Sequence, residues 1–230
     1  MEVITLTLGP VSNSYLVRGE KGSVLVDCGC YVELADYQKE FAAKSIDPSE
    51  VKLIVITHGH FDHAGSSDVA RELTKAPVAA HKNSLGFIKE GTFPPYKARN
   101  QHGQMFIDQV ANPAPVDKPE PFEVDYVLDD SEFDLSPFGV DGKVIYTPGH
   151  TDSSVTVVLA SKEAIVGDNI IADGFDNGKC VLGLICQDRE AMLASTKGLL
   201  DRGVEKYYSG HGGPFTKEEV LDAYQRASKE

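Results

Sequence analysis

Four side chains able to bind a metal ion crowd into the stretch THGHFDHAG, residues 57–65: His58, His60, Asp62 and His63. The chain has only seven histidines, and three of them stand here, directly after the apolar run LIVI (Leu53 to Ile56). In an extended chain, residues two apart point to the same side. His58 and His60 should therefore present two imidazoles in one direction as a strand ends, with Gly59 leaving room between them. Asp62 and His63 come after the chain begins to turn and must aim elsewhere. That division suits two adjacent metal positions, His58 and His60 serving the first, Asp62 and His63 the second.

A metal needs three or more ligands, and three further candidates stand at strand ends beside glycine or proline. His150 closes TPGH after the strand KVIY, Asp168 closes VGD after EAIV, and His211 lies in SGHGG after KYY. Ends of strands in α/β sheets are where such folds build sites. Mixed imidazole and carboxylate donors favour zinc, with iron or manganese as alternatives, over calcium or magnesium, which prefer oxygen shells. No cysteine is needed, and a position stays open for water, which marks a catalytic site. His81 and His102 fall outside the pattern and read as core or surface residues, although His102 lies in a segment that could meet substrate. Cys28 resembles a nucleophile by position only, since nothing near it in sequence would lower its pKa.

The elements that must position these groups can be read from the pattern. EVITLTL, SYLVRG and SVLVDCG form three early strands, and residues 33–44 a helix carrying Leu34, Tyr37 and Phe41 at helical spacing. VKLIVIT is a continuously apolar strand buried on both faces, and its end delivers the histidines. SSDVARELTK opens a helix with Ser66 or Ser67 as N-cap, and PVAAH is a further strand. From Leu85 to about Pro121 the pattern breaks into FPPY, NPAP and KPEP with scattered Phe87, Phe93, Tyr96 and Phe106. This is too long for an ordinary connection and predicts a lid or insertion, with a short helix around 100–110. Strands resume at FEVDYVL, GKVIYT, SVTVVLA and EAIVGD, and helices close the chain at 188–202 and 216–228. The result is a mixed α/β architecture, read as one domain over residues 1–230.

Bulk properties narrow the partners. A formal charge of −13 disfavours nucleic acid and anionic membrane surfaces, which would repel the chain. Neither a signal peptide nor an apolar run of about 20 residues is visible, so a cytoplasmic protein with a small-molecule substrate is expected. Four cysteines without a C-x-x-C pair read as reduced thiols, with a Cys180–Cys186 bridge left open.

VDCG, THGHFDHAG, TPGHTDSS, VGD and SGHGG, in this order and at these separations, resemble the metallo-β-lactamase-fold hydrolase superfamily, in its glyoxalase II-like, zinc-dependent branch. The resemblance implies a four-layer αβ/βα sandwich with the metals at one edge, between two sheets. It implies that His58, His60 and His150 hold one metal, that Asp62, His63 and His211 hold the other, and that Asp168 bridges them. Asp27, in VDCG, matches a carboxylate that supports the ligands without binding metal. Ser153 stands where the family commonly has glycine, which puts the local turn in question.

Two such ions would supply a water of pKa near neutral, a nucleophile for a carbonyl or phosphoryl centre. Asp62 or Asp168 would then pass the proton to the leaving group. Glyoxalase II enzymes carry a C-terminal helical domain that binds glutathione, and with 19 residues after His211 a glutathione substrate is not the expectation here. His60 in place of a glutamate weighs against the flavodiiron branch, and the acidic charge against the nucleases. Asn169, Ile170 and Ile171 follow Asp168 where quorum-signal lactonases often place a tyrosine. The expectation is a zinc hydrolase of a small ester, thioester or lactone. A mononuclear iron persulfide dioxygenase is the alternative, and a non-catalytic metal-binding regulator comes third. Dimers are common in such folds, so a homodimer is compatible with this reading.

Overall fold

The computed structural model describes residues 1–92, 94–111 and 120–230. Phe93, the NPAP motif and the first half of KPEP lie outside the described residues. In chain order the first half holds β1 (Glu2–Leu6), β2 (Ser14–Arg18), β3 (Ser23–Val26), α1 (Leu34–Ala43), β4 (Val51–Val55), α2 (Phe61–Ala64), α3 (Ser67–Thr74), β5 (Val78–His81), α4 (Leu85–Glu90), β6 (Lys97–Ala98) and α5 (Gln101–Phe106). The second half holds β7 (Tyr126–Leu128), β8 (Phe133–Asp134), β9 (Gly142–Tyr146), β10 (Val155–Leu159), β11 (Glu163–Ile165), β12 (Ile170–Asp173), β13 (Lys179–Leu182), β14 (Ile185–Cys186), α6 (Arg189–Asp201), β15 (Lys206–Tyr208), β16 (Phe215–Thr216) and α7 (Lys217–Ala227).

Two six-stranded sheets carry the fold, in the orders β1-β2-β3-β4-β5-β7 and β16-β15-β11-β10-β9-β8. Strand alternation explains how they stack. On β4, Leu53 and Val55 face the layer between the sheets, where they join Val144, Val155 and Val157 of the second sheet. Ile54 and Ile56 face the other way, into a layer with Tyr37 and Phe41 of α1 and Ala70 of α3. Across the second sheet, Ile145 and Tyr207 pack with Met192 and Leu199 of α6 and Val220 and Ala223 of α7. These are helix, sheet, sheet and helix: the αβ/βα sandwich. Each fully buried Leu or Val contributes about 1.5–3 kcal/mol.

Local chemistry sets the element ends. Tyr37 and Phe41, one turn apart and fully buried, fasten α1, and the Tyr37 hydroxyl donates to the Cys28 carbonyl at 2.6 Å. The Thr216–Glu219 capping box opens α7. Ser66 is the cap residue of α3, yet its side chain makes no cap bond there. Its Oγ instead accepts the Val32 N–H at 3.0 Å, tying the loop after β3 to the helix.

The elements refine the sequence reading in four places. FEVDYVL is a strand only at β7, because Asp125 pairs with Val78 partly through its side chain, whose Oδ2 accepts the Val78 N–H. The helix near 100–110 is α5 followed by a looser π-turn at Ile107–Ala111. The hairpin β12–β13, just beyond Asp168, has no forecast counterpart; Gly174 and Gly178 in its turn hid it. Cys180 and Cys186 are buried free thiols, without a bridge.

Candidate metal centre

The strands named above end at one edge of the sandwich. Asp27 follows β3, the histidine run follows β4, and His150, Asp168 and His211 follow β9, β11 and β15. The Val155 N–H donates to the Thr57 carbonyl at 2.9 Å and bridges the sheets at this edge. As expected, the chain turns at His60, the cap residue of α2, so Asp62 and His63 leave in a new direction.

The seven candidate ligands fall into two groups, His58, His60 and His150, and Asp62, His63, Asp168 and His211. Six of the seven are buried, and His211 is partly so. In the first group, His60 Nδ1 lies 3.1 Å from His58 Nε2 and 2.9 Å from His150 Nε2. In the second, His211 Nε2 lies 3.1 Å from both Asp62 Oδ2 and Asp168 Oδ2, and His63 Nε2 lies 3.2 Å from Asp168 Oδ1. Asp168 stands between the groups, its Oδ2 also 3.7 Å from His150 Nε2 and 4.0 Å from His58 Nε2.

The outer contacts decide which ring nitrogens are bare. His150 Nδ1 lies 2.9 Å from the Ile185 carbonyl and His211 Nδ1 lies 3.0 Å from the Val11 carbonyl, so each must donate there. His63 Nδ1 donates to Asp27 Oδ2 at 2.7 Å. The Thr57 hydroxyl gives its proton to that same Asp27 oxygen at 2.7 Å, so it accepts from His58 Nδ1 at 3.0 Å. Four Nε2 lone pairs therefore converge on the centre. Asp27 thus supports a residue of each group without touching either cluster centre. It holds φ +60°, a conformation that Asp and Asn tolerate better than most residues.

These donors fit cations. Burial first, then the neighbouring histidines, pushes His58 well below the ordinary imidazole range and His60 down to about 3. Burial likewise lowers His150. The three rings of the first group are therefore neutral, the form in which imidazole binds a metal. His63 Nε2 and Asp168 Oδ1 are buried and face one another without hydrogen-bond geometry. Burial would raise the two carboxylates, but His63 and His211 outweigh it, holding Asp62 at about 2 and Asp168 well below the usual range. Against the same burial, Asp168 and Asp62 raise His63, and lift His211 to about 10. Protons there offset charge that a divalent cation would offset better.

Glycines make room. A Cβ on Gly210 would lie 2.1 Å from Asp168 Oδ1 and 2.5 Å from His63 Cε1. Gly59 behaves otherwise than expected: a Cβ there would meet Pro94 and Ser84 at ordinary contact distances, and neither histidine. Ser153 is accommodated without a positive φ, and its Oγ lies 3.0 Å from Thr151 Oγ1.

The remaining candidates sit apart. His81 is buried and stacked on Tyr146, with ring centroids 4.5 Å apart. His102 pairs with Asp173, Nδ1 to Oδ2 at 2.6 Å, outside both groups. Cys28 is fully buried, which pushes its thiol up to about 12, so it is no nucleophile. Sequence reading missed Thr57 and Asn169. Asn169 accepts the His150 N–H at 3.0 Å and donates to the Thr147 carbonyl at 2.7 Å, bracing the TPGH loop. Adjacency to His58 and Asp168 was the one available signal.

The Metallo-beta-lactamase superfamily profile matches residues 8–211. The chain belongs to that superfamily. "Probable metallo-hydrolase MJ0888" of Methanocaldococcus jannaschii is 27% identical over 204 residues, covering 89% of either chain. Among solved structures, the BLEG-1 B3 metallo-beta-lactamase superposes with a TM-score of 0.71 at 20% identity, covering 99% of this chain and 100% of that one. TTHA1623, crystallised in a di-iron-bound form, gives 0.66 at 24% identity, covering 96% and 98%. Both structural likenesses speak to the fold. Family and relatives together make this superfamily member a hydrolase-type enzyme with a His/Asp metal-binding cluster.

Proposed function

We propose that the enzyme is a dinuclear metal hydrolase of a small ester, thioester or lactone, with zinc as the metal and iron or manganese as alternatives open to the same donors. The observation that carries this reading is the complete second group, in which Asp62, His63, Asp168 and His211 surround one point beside the first group. A mononuclear iron dioxygenase using the first group and Asp168 would leave Asp62, His63 and His211 without a metal to bind.

Bound ions would supply a water of lowered pKa and a Lewis acid for the carbonyl. His58, His60 and His150 would hold the first ion, Asp62, His63 and His211 the second, and Asp168 stands between the two groups. Asp62 and Asp168 are the carboxylates at the centre, the candidates to pass a proton to the leaving group. Asp27 and Thr57 keep His63 and His58 in the tautomer that leaves Nε2 bare. Residues 1–230 act as one domain, with part of the 85–121 segment walling the substrate cleft. Buried free thiols fit a reducing cytoplasm, and among the described residues no helix is long and apolar enough to cross a membrane.

The test is metal analysis on protein purified without chelator, then a panel of esters, thioesters and lactones. Two metals per chain with turnover on the panel is the expected result. One iron per chain with oxygen consumption on a persulfide would overturn the proposal.

A further inference from the structure

Beside the metal centre lies a cleft of about 300 Å³, and His150, Asp168 and His211 form part of its wall. Away from them the lining is apolar, with Phe106, Ile171, Phe175 and Leu184 prominent. Ile171, Leu184 and Val181 form a small cluster of their own, with Phe106 and Phe175 packed against it. They belong to none of the three larger cores of the sandwich. Among the described residues no Lys or Arg lines the cleft.

The apolar wall comes from the β12–β13 hairpin, the Leu184–Ile185 segment that enters β14, and α5, and α5 is fixed in place. β6 pairs with β14, and the Arg99 N–H donates to the Leu184 carbonyl at 2.9 Å. Gly103 approaches that carbonyl so closely that a Cβ would lie 2.1 Å from its oxygen. His102, one turn before Phe106, pairs with the buried Asp173, two residues before Phe175. One contact therefore fastens both aromatic residues of the wall.

We infer that this cleft is a subsite for an uncharged, apolar substituent on the scissile carbonyl, an alkyl or acyl chain. The inference rests on the hydrolase reading. Because three metal ligands form part of the wall, a carbonyl at the metals has this cleft as the room for what it carries. An anionic or cationic tail would lose its water there and gain no partner. The volume equals that of about ten water molecules at liquid density, enough for a chain of roughly eight to ten non-hydrogen atoms. Each methylene buried should improve binding about fourfold.

The experiment uses the metal-loaded enzyme with p-nitrophenyl esters from acetate to dodecanoate. In parallel, calorimetry measures binding of methyl ketones from butan-2-one to decan-2-one, which present a carbonyl without a leaving group. Both kcat/KM and ketone affinity should rise about fourfold per methylene until the cleft is full, then level off. A hemisuccinate ester should be at least tenfold poorer than the butyrate. Phe175→Asp should cut the octanoate-to-acetate preference at least tenfold while the protein still binds two metals. A flat ketone series, or an unchanged preference in F175D, overturns the subsite. Chain-length-dependent ketone binding with no ester, thioester or lactone turned over would uphold the subsite and defeat the hydrolase reading instead.

Discussion

Asp27→Asn tests whether one buried carboxylate sets the protonation of both metal positions. Asp27 is 1% exposed and accepts three hydrogen bonds, from the Thr57 N–H, the Thr57 hydroxyl and His63 Nδ1, each at 2.7 Å. Asparagine is isosteric and tolerates φ +60°, so neither a cavity nor backbone strain confuses the result. It keeps one acceptor oxygen for the Thr57 N–H. Its NH₂ then confronts two groups that were donors to Oδ2. Left unmet, each would cost about 1–3 kcal/mol. His63 can escape by moving its proton to Nε2, and Thr57 by turning its hydroxyl toward His58 Nδ1. Each escape places a proton where a metal should bind. The expected outcome is a loss of about 10–100-fold in metal affinity at each position, or about 1.4–2.7 kcal/mol apiece. Titration of chelator-stripped protein with zinc, against a competing indicator dye, reads both constants. Wild-type affinity at both positions would refute the argument. Loss at His63's position alone would remove the Thr57 relay and leave the direct contact standing.

Gly210→Ala should lose the second metal, because its Cβ would collide with Asp168 and His63; two equivalents by metal analysis would contradict this. Stripping the metals should lower the melting temperature. At free metal 100 times the dissociation constant, each site adds about 2.7 kcal/mol, or roughly 5–10 °C for a chain of this size, and equal melting with and without chelator would count against both sites. Burial raises Cys28 to about 12 and Cys30 to about 11, and also raises Cys180 and Cys186, so at pH 8 all four stay as thiols. Ellman's reagent should therefore react with fewer than one thiol per native chain and with four after denaturation; a fast native thiol would contradict the burial. His102→Ala should weaken the hold of α5 on the hairpin and reduce the preference for long acyl chains, read from the same ester series.

The sequence by itself determined which residues are candidate ligands and that they stand at strand ends. His58, His60, Asp62 and His63 are local, and whether a strand ends or a helix begins among them follows from neighbouring residues. The alternation along β4 likewise forecast a strand buried on both faces, because side-chain period is a local property. Tertiary structure decided what depends on residues far apart in the chain. Which nitrogen of His150 is bare depends on the Ile185 carbonyl, and that of His211 on the Val11 carbonyl, backbone groups that carry no sequence signature. The β12–β13 hairpin was hidden because glycines broke its pattern, and Phe106 and Phe175 became neighbours of the site through long-range contacts, the β6–β14 pairing and the pairing of His102 with Asp173 among them. Metal chemistry was legible because its ligands must be particular residue types. The cleft was not, since apolar side chains look alike in sequence whether they fill a core or line an opening beside a metal.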